Sequence, residues 1–220
     1  MFRTVFLKNS CLFFVVTLLF LRCVQKQNSE TLPYYNTPDF TPQFINKTTA
    51  LQKITHTLAP FSFQDQDGKM ISNKTVAGKI HVANFMFTSC GSICPKMTDN
   101  LAEVSKAFAN DPNVVLLSYS VTPWIDTKEK LKQYKAAKGI RNSNWHFLTG
   151  DKASLYRLAR QSYFAEEDLG FSKDSTQFLH TEHLVLVDGS QRIRGIYNGT
   201  LPLETAQLIK DIFTLRKEEN

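Results

Sequence analysis

Cys90 and Cys94, four residues apart, are the side chains of this sequence best suited to chemistry. They follow an apolar run from Lys79 to Phe87 that reads as a buried strand. They precede Pro95 and a stretch with Met97, Leu101, Val104 and Phe108 at helical spacing. Proline suits the first turn of a helix, where its missing N–H costs nothing. At a helix start the backbone N–H groups and the dipole favour negative charge, so a thiol there ionises below its free value. Such a pair is a nucleophile, a redox couple, or a soft ligand set for Cu(I) or Zn(II). The competing reading is a structural disulfide, yet closing so short a loop restricts the unfolded chain little.

The elements that must position these thiols can be read from periodicity and turn signals. Phe61 to Gln64 alternates like a short strand, and Gln66-Asp67-Gly68-Lys69 turns into Met70-Ile71. After the cysteine helix, Asp111-Pro112-Asn113 breaks the pattern, and Val114 to Val121 is a second long strand. A helix follows from Asp126-Thr127 to Gly139, then a strand from Trp145 to Leu148 and a helix from Lys152 to Tyr163. His183 to Val187 and Ile193 to Tyr197 form a hairpin around Asp188-Gly189-Ser190, and Leu203 to Leu215 closes the chain as a helix. The order β-α-β-α-β-α-β-β-α implies an α/β fold. Its sheet is mostly parallel with a terminal antiparallel hairpin, and helices cover both faces. The cysteines then occupy the active-site position of a thioredoxin-like fold, with three residues between them instead of the usual two.

Two thiolates leave a copper site short of ligands, so the five histidines come next. His56, at the entry to the domain, reads as exposed. His81 and His146 lie inside strands and read as packed. His180 and His183 fall in Phe178-Leu179-His180-Thr181-Glu182-His183, just before the penultimate strand. In a thioredoxin-like architecture that loop lies beside the cysteines. His183 opens the strand, which leaves His180 as the expected third ligand and Glu182 as a candidate to orient it.

At 220 residues, 42% hydrophobic and 21% charged, the chain suits one globular domain plus an appendage. Arg3 and Lys8 precede an apolar block from Cys11 to Leu21, which fits a signal peptide or membrane anchor over residues 1–23. Cys23 is a candidate lipid acceptor, although Arg22 stands where such sites want a small residue. Residues 24–57 are polar and contain Pro33, Pro38 and Pro42, so they read as a spacer, with the domain at 58–220. The body is expected on the extracytoplasmic, periplasmic side of the membrane. A net charge of +6 without a Lys/Arg run or basic stretch interleaved with aromatics argues against nucleic acid. No serine elbow supports a hydrolase.

The stretch Phe85-Met-Phe-Thr-Ser-Cys90-Gly-Ser-Ile-Cys94-Pro95-Lys-Met97-Thr resembles the SCO/SenC signature. The segment Leu179-His180-Thr181, with Asp188-Gly189 and Ile196-Tyr197-Asn198-Gly199 beyond it, is similar to that family's metal-histidine region. The resemblance covers about residues 58–215. It implies copper bound by Cys90, Cys94 and His180; a monomer is the default expectation. It also implies a role in assembling the dinuclear copper centre of cytochrome c oxidase, whose copper-site subunit would be the partner. Two departures stand out. Many members have Asp-Pro where this chain has Thr122-Pro123, and Asp where it has Leu179. The alternative function is an extracytoplasmic thiol-disulfide oxidoreductase acting on partner cysteines. A peroxidase is weaker, because the loop lacks an Arg, Gln or Trp beside the thiol.

Overall fold

The computed structural model describes residues 31–165 and 181–219. The run at 80–86 forms the central strand, and its burial on both sides explains why apolar residues stand on both of its faces. That strand, Ile80–Met86, is β5. Its alternate residues feed two cores. His81 aside, Ala83 and Phe85 join Val115, Leu117 and Tyr119 on one face. Ile80, Val82 and Met86 join Val114 and Leu116 on the other.

In chain order the remaining strands are β1 (Tyr34–Tyr35), β2 (Pro42–Gln43), β3 (Ser62–Asp65), β4 (Met70–Ser72), β6 (Val114–Ser120), β7 (Trp145–Thr149), β8 (His183–Val187) and β9 (Ile193–Asn198). The helices are α1 (Lys47–Lys53), α2 (Asn73–Val76), α3 (Ile93–Ala107), α4 (Lys128–Ala137), α5 (Lys152–Ser162) and α6 (Pro202–Glu219). The described strands form one sheet in the order β2-β1-β9-β8-β5-β6-β7-β3-β4. Strands β5, β6 and β7 are parallel, with Ile80 opposite Val114 and Leu116 opposite Trp145. β8 and β9 form the antiparallel hairpin on one side, and β3 and β4 form another beyond β7. Parallel pairing is therefore confined to the centre of a mixed sheet. Helices α3, α4 and α6 cover one face through Met97, Leu101, Leu131, Leu208 and Ile212. Helix α5 covers the other through Leu155, Leu158 and Ala159.

The expected elements between 58 and 215 are present within a few residues of their predicted ends. The reading of 24–57 as a spacer is corrected over its described part, because residues 31–57 belong to the folded unit. Tyr35 pairs with Ile193 at the edge of the sheet, and Tyr34, Ala50 and Ile54 form a small core of their own. The guanidinium of Arg194 stacks 3.9 Å from the Tyr34 ring, and its Nε donates to the Pro33 carbonyl at 3.0 Å. Two-residue strands carry no detectable period, so local pattern could not separate this segment from a linker. The signal or anchor segment at 1–23, with Cys11 and Cys23, lies outside the described residues. Among those described, no helix is long and apolar enough to cross a membrane.

Candidate metal and redox centre

Strand β5 runs out of the core at Met86, and the chain turns through Phe87 to Ser92 into α3. The N-cap Ser92 makes no side-chain cap bond. A sulfur takes up part of that role, for the Cys94 N–H donates to Cys90 Sγ at 3.4 Å. An orphan donor of the first helical turn is thus met by the first cysteine. The Cys90 N–H in turn donates to the Phe87 carbonyl at 3.3 Å. Cys94 is 3% exposed and packs with Met86, Met97 and Leu101, whereas Cys90 is half-buried. Both are free thiols.

The two sulfurs differ electrostatically. Burial works against the Cys90 thiolate. The backbone N–H groups of Ser92, Cys94 and Ile93 and the Cys94 thiol outweigh it, holding Cys90 below its ordinary 9.0. Burial pushes the Cys94 thiol up to about 12; the Phe87 N–H opposes this, and the Cys90 sulfur adds to it. Cys90 is therefore the more readily ionised thiol, and Cys94 is held protonated by its burial. Tyr134 of α4 closes the far side, its hydroxyl 2.9 Å from Thr98 Oγ1, which itself donates to the Cys94 carbonyl at 2.9 Å.

His180 lies outside the described residues, but Glu182, two residues after it, is tied to the cysteine helix through Gly199. The Gly199 N–H donates to the Glu182 carbonyl at 2.7 Å, and the Gly199 carbonyl accepts from Asn100 Nδ2 of α3 at 2.8 Å. A Cβ at Gly199 would stand 2.9 Å from the Leu184 side chain and 3.1 Å from the Glu182 carbonyl, so this approach requires glycine. The Glu182 carboxylate accepts from Asn198 Nδ2 at 2.8 Å, which gives it a place in the β8–β9 end. Among the described residues no three His, Cys, Asp or Glu side chains gather as a metal site. The donor chemistry present, two free thiols at one helix start, matches a soft ion such as Cu(I).

The other histidines have local partners. His56 is partly buried, not exposed as its position suggested, with Nε2 2.9 Å from the Ser162 carbonyl and its ring on Phe164. His146 Nδ1 lies 2.9 Å from Asp65 Oδ2. His81 is fully buried, with Nε2 3.1 Å from the Tyr163 hydroxyl and no partner for Nδ1. His183 begins β8, half-buried, its ring edge-on to Phe40. One group of this region escaped the sequence reading. Asp126 is buried and bonds back to Thr88, two residues before Cys90. In sequence it is visible only as the neighbour of Thr127 at the start of the expected helix, where Thr127 is the cap.

Comparison with known proteins agrees with this geometry. The SCO1/SenC family model matches residues 49–216. A SCO1/SenC family lipoprotein from Bacillus anthracis superposes with a TM-score of 0.65 at 30% identity, covering 74% of this chain and 96% of the other. BsSco, described with a disulfide switch as a member of the Sco family of cytochrome c oxidase assembly proteins, gives 0.62 at 30% identity, covering 74% and 94%. Copper-bound ScoI of Bradyrhizobium japonicum gives 0.55 at 27% identity, covering 70% and 98%. With the matched span covering most of the chain and the cysteines in place at the strand-to-helix turn, this protein belongs to the SCO1/SenC family.

Proposed function

We propose that this protein is a copper chaperone whose cargo is held by Cys90, Cys94 and His180. The observation that carries this reading is the pair of free thiols at the start of α3, with Glu182 fastened to that same helix through Gly199. Copper bound to the relative from Bradyrhizobium japonicum supports the choice of metal. Two sulfurs and one imidazole form a low-coordinate site, which leaves room for an acceptor's ligand to enter before a donor leaves. Metal uptake requires both cysteines as free thiolates and releases their protons. The acceptor is the copper-site subunit of a cytochrome c oxidase, and the product is its dinuclear copper centre. The protein acts as a monomer on the periplasmic side, tethered by residues 1–23 or by lipid on Cys23. The lipoprotein relative supports the tether.

A second reading, thiol-disulfide exchange with partner cysteines, is favoured by one specific observation. Cys90 is held down and half-buried while Cys94 is pushed up and buried, the asymmetry expected of an attacking and a resolving thiol. The two readings are compatible, because a reduced pair is a precondition for loading.

Anaerobic copper titration of the reduced protein, followed by absorption spectroscopy after mild oxidation, separates them. Stoichiometric copper with thiolate-to-copper charge transfer is expected, and Cys90→Ala, Cys94→Ala and His180→Ala should each lose it. Wild-type affinity in His180→Ala would remove that residue from the ligand set. Absence of copper retention, with a redox-active Cys90–Cys94 pair, would leave the oxidoreductase reading.

A further inference from the structure

Asp126 is 0% exposed, and among the described residues no Lys, Arg or His forms an ion pair with it. The donors that its carboxyl group meets among the described residues are neutral. On one side Thr88 gives both its hydroxyl and its backbone N–H, the latter 3.2 Å from Oδ2 and 3.4 Å from Oδ1. On the other side the Ser120 hydroxyl donates at 2.7 Å and the Thr122 hydroxyl at 3.0 Å. Thr88 belongs to the loop that leaves β5 for the cysteines, and Ser120 and Thr122 lie at the end of β6. The carboxylate therefore joins two loops at the carboxyl ends of parallel strands. It accepts at both oxygens, which no amide or hydroxyl of similar size can do.

We propose that Asp126 is a positioning residue for the cysteine pair. By holding Thr88, it fixes the Phe87 carbonyl that receives the Cys90 N–H, and so presents Cys90 Sγ over the first turn of α3. Releasing Thr88 lets Cys90 sample positions away from Cys94 and lowers the effective concentration of one thiol at the other. The inference rests on the reading of Cys90 and Cys94 as the working pair, and it is tested without metal so that the two can fail separately.

The test is the equilibrium of the metal-free full chain in mild detergent with oxidised and reduced glutathione. The Cys90 thiolate attacks the glutathione disulfide, displacing one glutathione thiolate and forming a mixed disulfide. Cys94, giving its proton to solvent, then displaces the second glutathione. One protein disulfide forms, one glutathione disulfide is broken, and two electrons and two protons end on two glutathiones. Asp126→Asn turns an accepting oxygen into a donor facing donors. It should lower the equilibrium constant at least tenfold, a rise in reduction potential of about 30 mV for a two-electron couple.

Thr88→Val keeps the shape, removes only the hydroxyl, and serves if the first variant does not fold. It should lower the constant at least threefold. Ser118→Ala, which breaks the buried link from Trp145 to Asn84 on the same strand as Ser120, controls for general destabilisation and should stay within twofold of wild type. A folded Asp126→Asn with an unshifted constant would overturn the proposal. So would a Thr88→Val shift below threefold, or a Ser118→Ala shift as large as that of Thr88→Val.

Discussion

The unequal environments of the two thiols set a measurable ratio of reactivities. Cys94→Ser leaves Cys90 as the reporter near the helix start, and Cys90→Ser leaves Cys94. Cys90 lies below 9.0 and Cys94 near 12, so the separation is at least about three pH units. At pH 7 the thiolate fraction at Cys90 then exceeds that at Cys94 by a factor of at least ~10³. The more basic thiolate is the better nucleophile, and a Brønsted coefficient of about 0.4–0.5 returns roughly 15- to 30-fold to Cys94. A rate advantage of at least ~30-fold remains for Cys90. The burial of Cys94, at 3% exposure, widens it by restricting access. The assay is second-order reaction with a small disulfide reagent under pseudo-first-order conditions, with the modified residue identified by mass spectrometry. Rates within threefold of each other, or a faster Cys94, would refute the argument that burial and the helix-start N–H groups divide the pair.

Two further outcomes test the frame around the site. Burial holds His81 down to about 3 from an ordinary 6.5, so the folded chain binds fewer protons than the unfolded chain between those values. Its contribution to stability is complete above pH 6.5 and falls as pH drops towards 3, by up to ~1.4 kcal/mol per unit and on the order of 5 kcal/mol in all. Denaturant titrations across pH 4–7 should show His81→Leu losing less stability with acid than wild type, and parallel curves would contradict this. Arg194, 3% exposed, contacts Glu218 at 2.6 Å and Asp188 at 3.5 Å. Arg194→Met strands those carboxylates and should cost about 3–5 kcal/mol in urea unfolding. Limited proteolysis should cut the variant first within residues 31–57, and unchanged protection there would show that the arginine does not secure this segment.

Much of the site was legible before any coordinates, for reasons tied to particular residues. A run buried on both faces, Ile80–Met86, cannot alternate polar and apolar, and few other elements produce such a stretch. Pro95 and the spacing of Met97, Leu101 and Val104 then marked the helix that follows, so the cysteines had to fall at a strand-to-helix turn. These signals are local: they depend on neighbours within a turn or two of chain, and periodicity carries them without knowledge of the rest.

What the sequence left undecided depends on groups far apart along the chain. Thr88 and Asp126 are 38 residues apart, His146 and Asp65 81, and Arg194 and Leu32 162. No spacing rule predicts such pairs, because the sheet order brings them together. The same holds for the cysteines themselves. The sequence determined that two thiols begin a helix. Only the packing of Cys94 against Met97 and Leu101, with Cys90 left towards solvent, decided which of the two ionises first. Desolvation belongs to the assembled core, since an isolated segment of chain keeps its water.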